Sequence, residues 1–281
     1  MILPTKIIRK LRRFSVITTD SLLEKRLLPG SDNYQKFIIL CTARTGSNFL
    51  CSLLQSHSKI RAFAEVFHKD SKRKKIFWDY PGYNSEEFWE MRENHPIQFM
   101  DNIVFRDFPK SVSAVGFKLF YNHAQAENEK CIWERLKQIK DLKIIHLKRQ
   151  NLLQQYVSLT KARQSKQWVV KANNSNSKGD SLRLEIDYDN CIEHFETLQN
   201  LQREYDNLFA EHQILEVIYE NLAKDYINET KKIQEFLGVP YQKLYPYTYK
   251  QTQESLSQII INYSELKEKF QETPWIDYFE G

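Results

Sequence analysis

The stretch FIILCTARTGSNFLCSLLQSH (residues 37–57) decides the fold. Its opening, Phe37 to Cys41, is continuously apolar, the pattern of a strand covered on both faces in a parallel sheet. A short polar turn containing Gly46 follows, and then Phe49, Leu50, Leu53 and Leu54 share one helical stripe. A strand, a tight loop and a helix beginning near Ser47 make an anion site. The first amides of a helix have no partner within it, and the helix dipole adds partial positive charge there. Gly46 can supply positive φ or close backbone approach. Thr45, Ser47 and Asn48 add hydroxyl or amide donors, and Arg44 adds a permanent forked cation.

The loop departs from the nucleotide triphosphate pattern. After Gly46 comes Ser47, where a Walker A loop has Gly-Lys-Ser/Thr, and no downstream strand clearly ends in a magnesium-binding Asp. ATP with its metal is poorly served by such a site. A 5′-phosphosulfate carries less charge and can be held by Arg and backbone amides without a metal, so the departure points toward sulfuryl transfer. A Thr-Gly-Ser turn can also serve packing and capping alone.

Outward from this stretch, strands and helices alternate. Strands are expected at 60–65, 111–120, 142–148 and 214–222, and helices at 131–140, 151–164, 188–209, 227–238 and 263–270. Asn151 is a suitable N-cap and Gly238 a suitable terminating residue. Residues 168–181, polar and rich in Asn and Ser, predict a mobile loop. The alternation predicts an α/β protein: a three-layer, P-loop-like fold whose central, mostly parallel sheet is flanked by helices.

The excess positive charge is confined to one end. Residues 1–30 hold seven Lys or Arg against Asp20 and Glu24, which equals the whole formal excess of +5. The remaining body is balanced, so nucleic acid is not implied as a partner. Leu3, Ile7, Leu11 and Phe14 recur at three- or four-residue steps among those basic residues. This is the pattern of a basic amphipathic helix, suited to peripheral contact with an anionic membrane through residues 1–15 or to packing on the body. The four cysteines show no CxxC pair and no zinc spacing, as expected of reduced thiols. No apolar run approaches the about 20 residues that cross a bilayer.

A second element sharpens the first. HLKRQNLLQQYVSLTKARQSKQW (residues 146–168) ends a strand at Arg149 and sets Ser158 nine residues on, inside the next helix. Arg149 and Ser158 are more than two helical turns apart, yet a phosphate lodged between strand end and helix could draw on both. Together these segments resemble the sulfotransferases that use 3′-phosphoadenosine 5′-phosphosulfate (PAPS), most of all bacterial carbohydrate sulfotransferases of the trehalose 2-sulfotransferase type. TARTGSNFLCSLL (42–54) is similar to their 5′-phosphosulfate loop and LKRQNLLQQYVSLTKARQSKQW (147–168) to their 3′-phosphate element. VGFKLF (115–120), the blocks within 217–239 and TPWIDYF (273–279) also resemble that group. The resemblance starts near residue 36 and divides the chain into a basic segment, 1–35, and a sulfotransferase domain, 36–281.

It implies that Thr42, Arg44, Thr45, Gly46, Ser47 and Asn48 hold the 5′-phosphosulfate. Arg149 and Ser158 would bind the 3′-phosphate, and Trp168 would line the nucleotide or acceptor pocket unless it is a core aromatic. PAPS is then the co-substrate and no metal is needed. The acceptor implied is a carbohydrate or glycolipid. Animal Golgi relatives would need a membrane anchor, so a bacterial, cytoplasmic location is expected. The competing classes are a P-loop kinase and a non-catalytic phosphoadenosine-binding protein.

In-line transfer to a hydroxyl needs a base and a cation for the charge building on the bridging oxygen. Arg44 is the expected cation. Glu65 is the expected base: it should end a returning strand, the family's proposed catalytic glutamate falls in a matching place, and partial desolvation would raise its pKa. His68 is the second choice, with His57 and His123 behind it. Lys118 could meet sulfate oxygens or merely snorkel at a strand end. For the acceptor, the basic cluster 68–75 could bind an acidic group and the aromatic stretch 77–91 could stack on sugar rings; a solvated loop and ordinary core are the plain alternatives.

Overall fold

A computed structural model describes residues 5–69, 85–166, 168, 182–246 and 254–280. The first short strand, β1 (Gly30–Ser31), pairs antiparallel with β4 (Phe108–Pro109). The main sheet contains β2 (Gln35–Cys41), β3 (Ile60–Glu65), β5 (Ala114–Phe120), β6 (Lys143–Lys148) and β7 (Gln213–Ile218). Its order is β3-β5-β2-β6-β7, and every neighbouring pair is parallel. Central β2 explains the unbroken apolar run. Phe37, Ile39 and Cys41 enter the core on one face, while Ile38 and Leu40 enter the core on the other. Each large apolar side chain buried this way contributes about 1.5–3 kcal/mol.

Helices fill both faces. α1 (Thr5–Glu24) precedes the sheet, and α2 (Ser47–Leu54) follows β2. Between β3 and β5 come α3 (Glu86–Asn94), α4 (Pro96–Phe99) and a π-helical turn, Met100–Val104. α5 (Cys131–Gln138) leads to β6; α6 (Leu152–Ser165) and α7 (Tyr188–Leu208) lead to β7. α8 (Tyr219–Lys224), α9 (Tyr226–Phe236), α10 (Leu256–Ile259), α11 (Tyr263–Lys269) and a 3-10 turn, Ile276–Phe279, follow among the described residues. Leu50 and Leu53 of α2 with Ile233 of α9 cover one face; Trp89 of α3, Ile132 of α5 and Tyr205 of α7 cover the other. This is the expected three-layer α/β arrangement.

The strand order locates a crevice. The chain leaves β2 through α2 toward β3, and leaves β6 through α6 and α7 toward β7 on the opposite side. Adjacent strands whose connections diverge open a cleft at their carboxyl ends, where open α/β sheets bind ligands. That point lies between the loop after Cys41 and the turn after Lys148.

Two expected elements differ. The strand expected at 111–120 starts at Ala114, because the Val112 N–H donates to the Pro109 carbonyl and closes a turn first. The strand expected at 214–222 stops at Ile218; α8 then buries Leu222 in the core beside β2, with Val217 in the same cluster. Most of the basic cluster 68–75, the first half of the aromatic stretch 77–91, Leu3 and nearly all of the loop 168–181 lie outside the described residues. From the aromatic stretch, Phe88 and Trp89 are buried core.

α1 packs on the body. Arg12 Nη2 donates to the carbonyls of His57 and, at 3.1 Å, Ile60; Val16 is buried; Asp20 pairs with Arg106 at 2.8 Å. Among the described residues no helix is long and apolar enough to cross a membrane.

A polar chain beneath the cleft ties strand ends together. Asp206 only accepts, so His146 Nδ1–H donates to it at 2.7 Å, and His146 Nε2 accepts from the Tyr121 hydroxyl at 2.6 Å. Lys148 donates to Asp206 (2.8 Å) and Glu216 (2.7 Å). Burial, reinforced by the Lys148 charge, lowers the His146 pKa against the opposing pull of Asp206. His194, half-buried between α6 and α7, is pushed down by burial and by Arg163 to about 4. Both rings bind protons more readily once unfolded, so their contribution to stability is full above pH 6.5, their ordinary value, and is lost as pH falls below it. His194 alone should remove roughly 2 kcal/mol between pH 7 and pH 5. Urea unfolding at both pH values should show this slope, and His194→Gln should flatten it; equal slopes in parent and variant would reject the assignment.

Candidate active site

The loop between β2 and α2 is wound tightly. Thr45 Oγ1 donates to the Thr42 carbonyl at 2.8 Å. Arg44 and Gly46 both have positive φ, 66° and 78°. Gly46 caps α2 in the left-handed conformation, with the Tyr219 ring laid against its Cα. A Cβ there would fall 2.2 Å from Tyr219 Cδ2 and 2.4 Å from Cε2. Gly46→Ala therefore meets both a left-handed penalty of about 1–2 kcal/mol and a displaced ring. Its unfolding midpoint should drop by about 5 °C or more, with nucleotide affinity falling alongside. A midpoint within error of the parent would show that the loop is not built this way.

Arg44 holds positive φ without glycine's freedom because its neighbours brace it. Arg149 Nη1 donates to the Arg44 carbonyl at 3.1 Å, and Gln155 Nε2 donates to the Ala43 carbonyl at 2.7 Å. Both braces come from the β6–α6 element, so the two sequence segments interlock. The Arg44 side chain completes the interlock: Nε donates to Ser158 Oγ at 2.9 Å and Nη1 to the Trp168 carbonyl at 2.8 Å. Arg149 and Ser158, more than two helical turns apart, thus meet through Arg44, over 100 residues away in the chain. Trp168 is 48% exposed, which removes the core-aromatic alternative.

Arg149 is buried and fixed from several sides. Its Nη2 donates to Gln154 Oε1 at 2.9 Å, its guanidinium lies 4.9 Å from the Tyr219 ring centroid, and Glu220 stands 3.8 Å from Nε. Glu220 also accepts from the Gln150 and Asn151 amides, at 3.1 and 3.2 Å. Burial, then the nearby Arg149 charge, lowers the Arg44 pKa; burial does the same for Arg149, against Tyr219 and Glu220. Both stay charged, since guanidinium does not lose its proton in proteins. Two guanidiniums held this close, Arg149 buried and Arg44 half-buried, suit the cleft to an anion.

Glu65 is the last residue of β3, where a register shift between Phe63 and Glu65 sets it beside Lys118. Lys118 Nζ lies 3.0 Å from Glu65 Oε1 and donates to Asn48 Oδ1 at 2.6 Å. Lys118 is fully buried, so it does not snorkel; its charge is answered inside by Glu65 and Asn48. Asn48 consequently keeps only its NH2 to offer a phosphate. Glu65 itself is partly buried beside the Lys118 ammonium, at 17% side-chain exposure.

Three possible metal donors gather here: Glu65, His68 and His123 have ligand atoms within 4.8 Å of one another. Their chemistry suits a divalent ion poorly. The Phe120 N–H donates to His123 Nδ1 at 3.2 Å, which leaves the proton of a neutral ring on Nε2, and Glu65 Oε1 already faces Lys118. His68 Nε2 stands 4.0 Å from Glu65 Oε2, close enough to remain the alternative base. His57 does not belong to the site. It is buried at the amino end of β3, where Nε2 meets the Pro240 carbonyl and Nδ1 accepts from the Lys59 amide.

Sequence reading missed Gln155, Tyr219 and Glu220. Gln155 carried a signal: it lies three residues before Ser158, so both polar side chains share one face of α6. Tyr219 and Glu220 carried none, because they read as part of a strand.

A family model described as "Sulfotransferase family" matches residues 36–243. Nodulation protein H of Rhizobium meliloti is 25% identical over 252 residues, covering 87% of this chain and 94% of that protein. Nodulation protein H of Rhizobium tropici is 25% identical over 253 residues, covering 88% and 93%. A solved sulfotransferase from Alicyclobacillus acidocaldarius is 16% identical with a TM-score of 0.46, covering 87% of this chain and 93% of that one.

Proposed function

Because the chain belongs to the sulfotransferase family, we propose that it moves the sulfuryl group of PAPS onto a carbohydrate or glycolipid hydroxyl by in-line transfer. The carrying observation is the interlock itself: Arg44, Arg149 and Ser158 converge at the switch point of the sheet, joined through Arg44. A nucleotide with phosphates at both its 5′ and 3′ positions can engage both halves of that interlock at once.

In this reading Thr42, Thr45, Gly46, Ser47 and Asn48 receive the 5′-phosphosulfate through loop amides and side-chain donors. Arg44 faces the charge that builds on the bridging oxygen. Arg149 and Ser158 hold the 3′-phosphate, Arg149 as a rigid fork stacked on Tyr219. The exposed Trp168 lines the pocket mouth. Glu65 takes the acceptor proton, and Lys118, tied to both Glu65 and Asn48, keeps that carboxylate registered to the phosphate loop. No step needs a metal. The four unpaired cysteines fit a bacterial cytoplasmic location. No feature of the site favours a kinase, since Ser47 stands where the phosphate-binding lysine would be.

Incubation with ³⁵S-labelled PAPS and a panel of bacterial glycans and glycolipids tests the reading. A labelled acceptor is expected. Cofactor binding with no transfer to any acceptor, as a non-catalytic protein would give, or magnesium-dependent ATP turnover in its place, would overturn it.

A further inference from the structure

α1 has two unlike faces. Arg12, Val16 and Asp20, four residues apart, anchor it to the body. Ile7, Leu11 and Phe14 stand on the outer face, 43%, 58% and 72% exposed, with Ile17 close beside them. At about 100° per residue this outer stripe lies roughly opposite the anchored one. These four are among ten exposed large hydrophobic residues in the described chain, so the exposed apolar surface is concentrated on one helix. The stripe turns polar at Thr18 and Ser21, which confines it to the amino-terminal half. Exposed Lys10 and Arg13 border it on the Ile17 side.

We propose that the outer face of α1 docks on an anionic lipid surface. Ile7, Leu11 and Phe14 enter the boundary between headgroups and acyl chains, and Lys10 and Arg13 meet headgroup phosphates. Charge selects this occupant. The first 30 residues carry seven basic side chains against two acidic ones, so a second copy of the same face is repelled while an anionic bilayer attracts it. The anchoring contacts lie at the amino ends of strands: Ile60 opens β3, and Arg106 precedes β4. The phosphate loop is at the carboxyl end of β2, so docking leaves the cleft uncovered.

The test is cosedimentation of the full chain with phosphatidylcholine vesicles, with and without phosphatidylglycerol as about a third of the lipid. Binding to the anionic vesicles and little to the neutral ones is expected. The double variant Leu11→Ser/Phe14→Ser should bind them about tenfold or more weakly. Its unfolding midpoint and its affinity for adenosine 3′,5′-bisphosphate should match the parent. A parent that stays in solution with anionic vesicles at low salt would overturn the proposal, as would a double variant that binds like the parent. A parent dimer that the double variant dissociates would assign the face to a second copy instead. Vesicle binding needs no turnover, so this proposal and the transfer reading stand or fall separately.

Discussion

Glu65→Gln is expected to lower turnover by about a hundredfold or more while cofactor binding survives. The carboxylate ends β3 at the mouth of the phosphate loop, and the variant keeps its shape but cannot accept a proton. The environment adds a second consequence. Lys118 is fully buried, and Glu65 is its charged partner at 3.0 Å. Removing one partner of a buried pair can cost about 3–5 kcal/mol, and the glutamine oxygen, still able to accept from Nζ, should keep the loss near the lower end. Turnover and unfolding midpoint should therefore both fall. Lys118→Met distinguishes the causes, because it also breaks the pair but leaves the carboxylate. If the ion pair alone mattered, the two variants would lose activity equally. Near-normal turnover in Glu65→Gln would remove Glu65 as the base and turn attention to His68, 4.0 Å from Oε2.

The second large effect is at Arg149. Arg149→Ala should weaken adenosine 3′,5′-bisphosphate binding by about a hundredfold or more, the loss of a buried charge-assisted contact worth roughly 2–5 kcal/mol. AMP, which lacks the 3′-phosphate, should also bind less well, though by only about tenfold. That smaller loss follows from the brace: Arg149 supports the Arg44 carbonyl, and without it the loop at positive φ has lost one of its two holds. Arg149→Lys should not restore the parent, because an ammonium lacks the planar fork that now reaches Arg44, Gln154 and the Tyr219 face together. Equal losses for the two nucleotides would refute the 3′-phosphate assignment. Isothermal titration of each nucleotide against each variant decides it.

Much of the fold is legible in the sequence. β2 could be read because a strand buried on both faces has no polar alternation, and β6 reads the same way. Asn151 and Gly238 were readable because caps act through local backbone chemistry: the Asn151 side chain accepts from the Gln154 amide, and Gly238 takes φ 70°. The error at Tyr219 arose where local signals are weakest. Ile-Tyr-Glu-Asn-Leu fits a strand by propensity, and the helix prevails only because it buries Leu222 beside the sheet.

What the sequence determined by itself was the set of parts: a buried strand, a glycine loop without the triphosphate lysine, an arginine at the end of a second strand, and a glutamate at the end of a third. Each depends on interactions within a few residues, which periodicity and backbone preference reveal. Only the tertiary structure decided how the parts meet. It joined Arg44 to Ser158 across 114 residues, laid Tyr219 on Gly46, and turned Lys118 from a surface candidate into the buried partner of Glu65. Such contacts follow from strand order and packing between distant segments, and neither leaves a periodic mark on the chain.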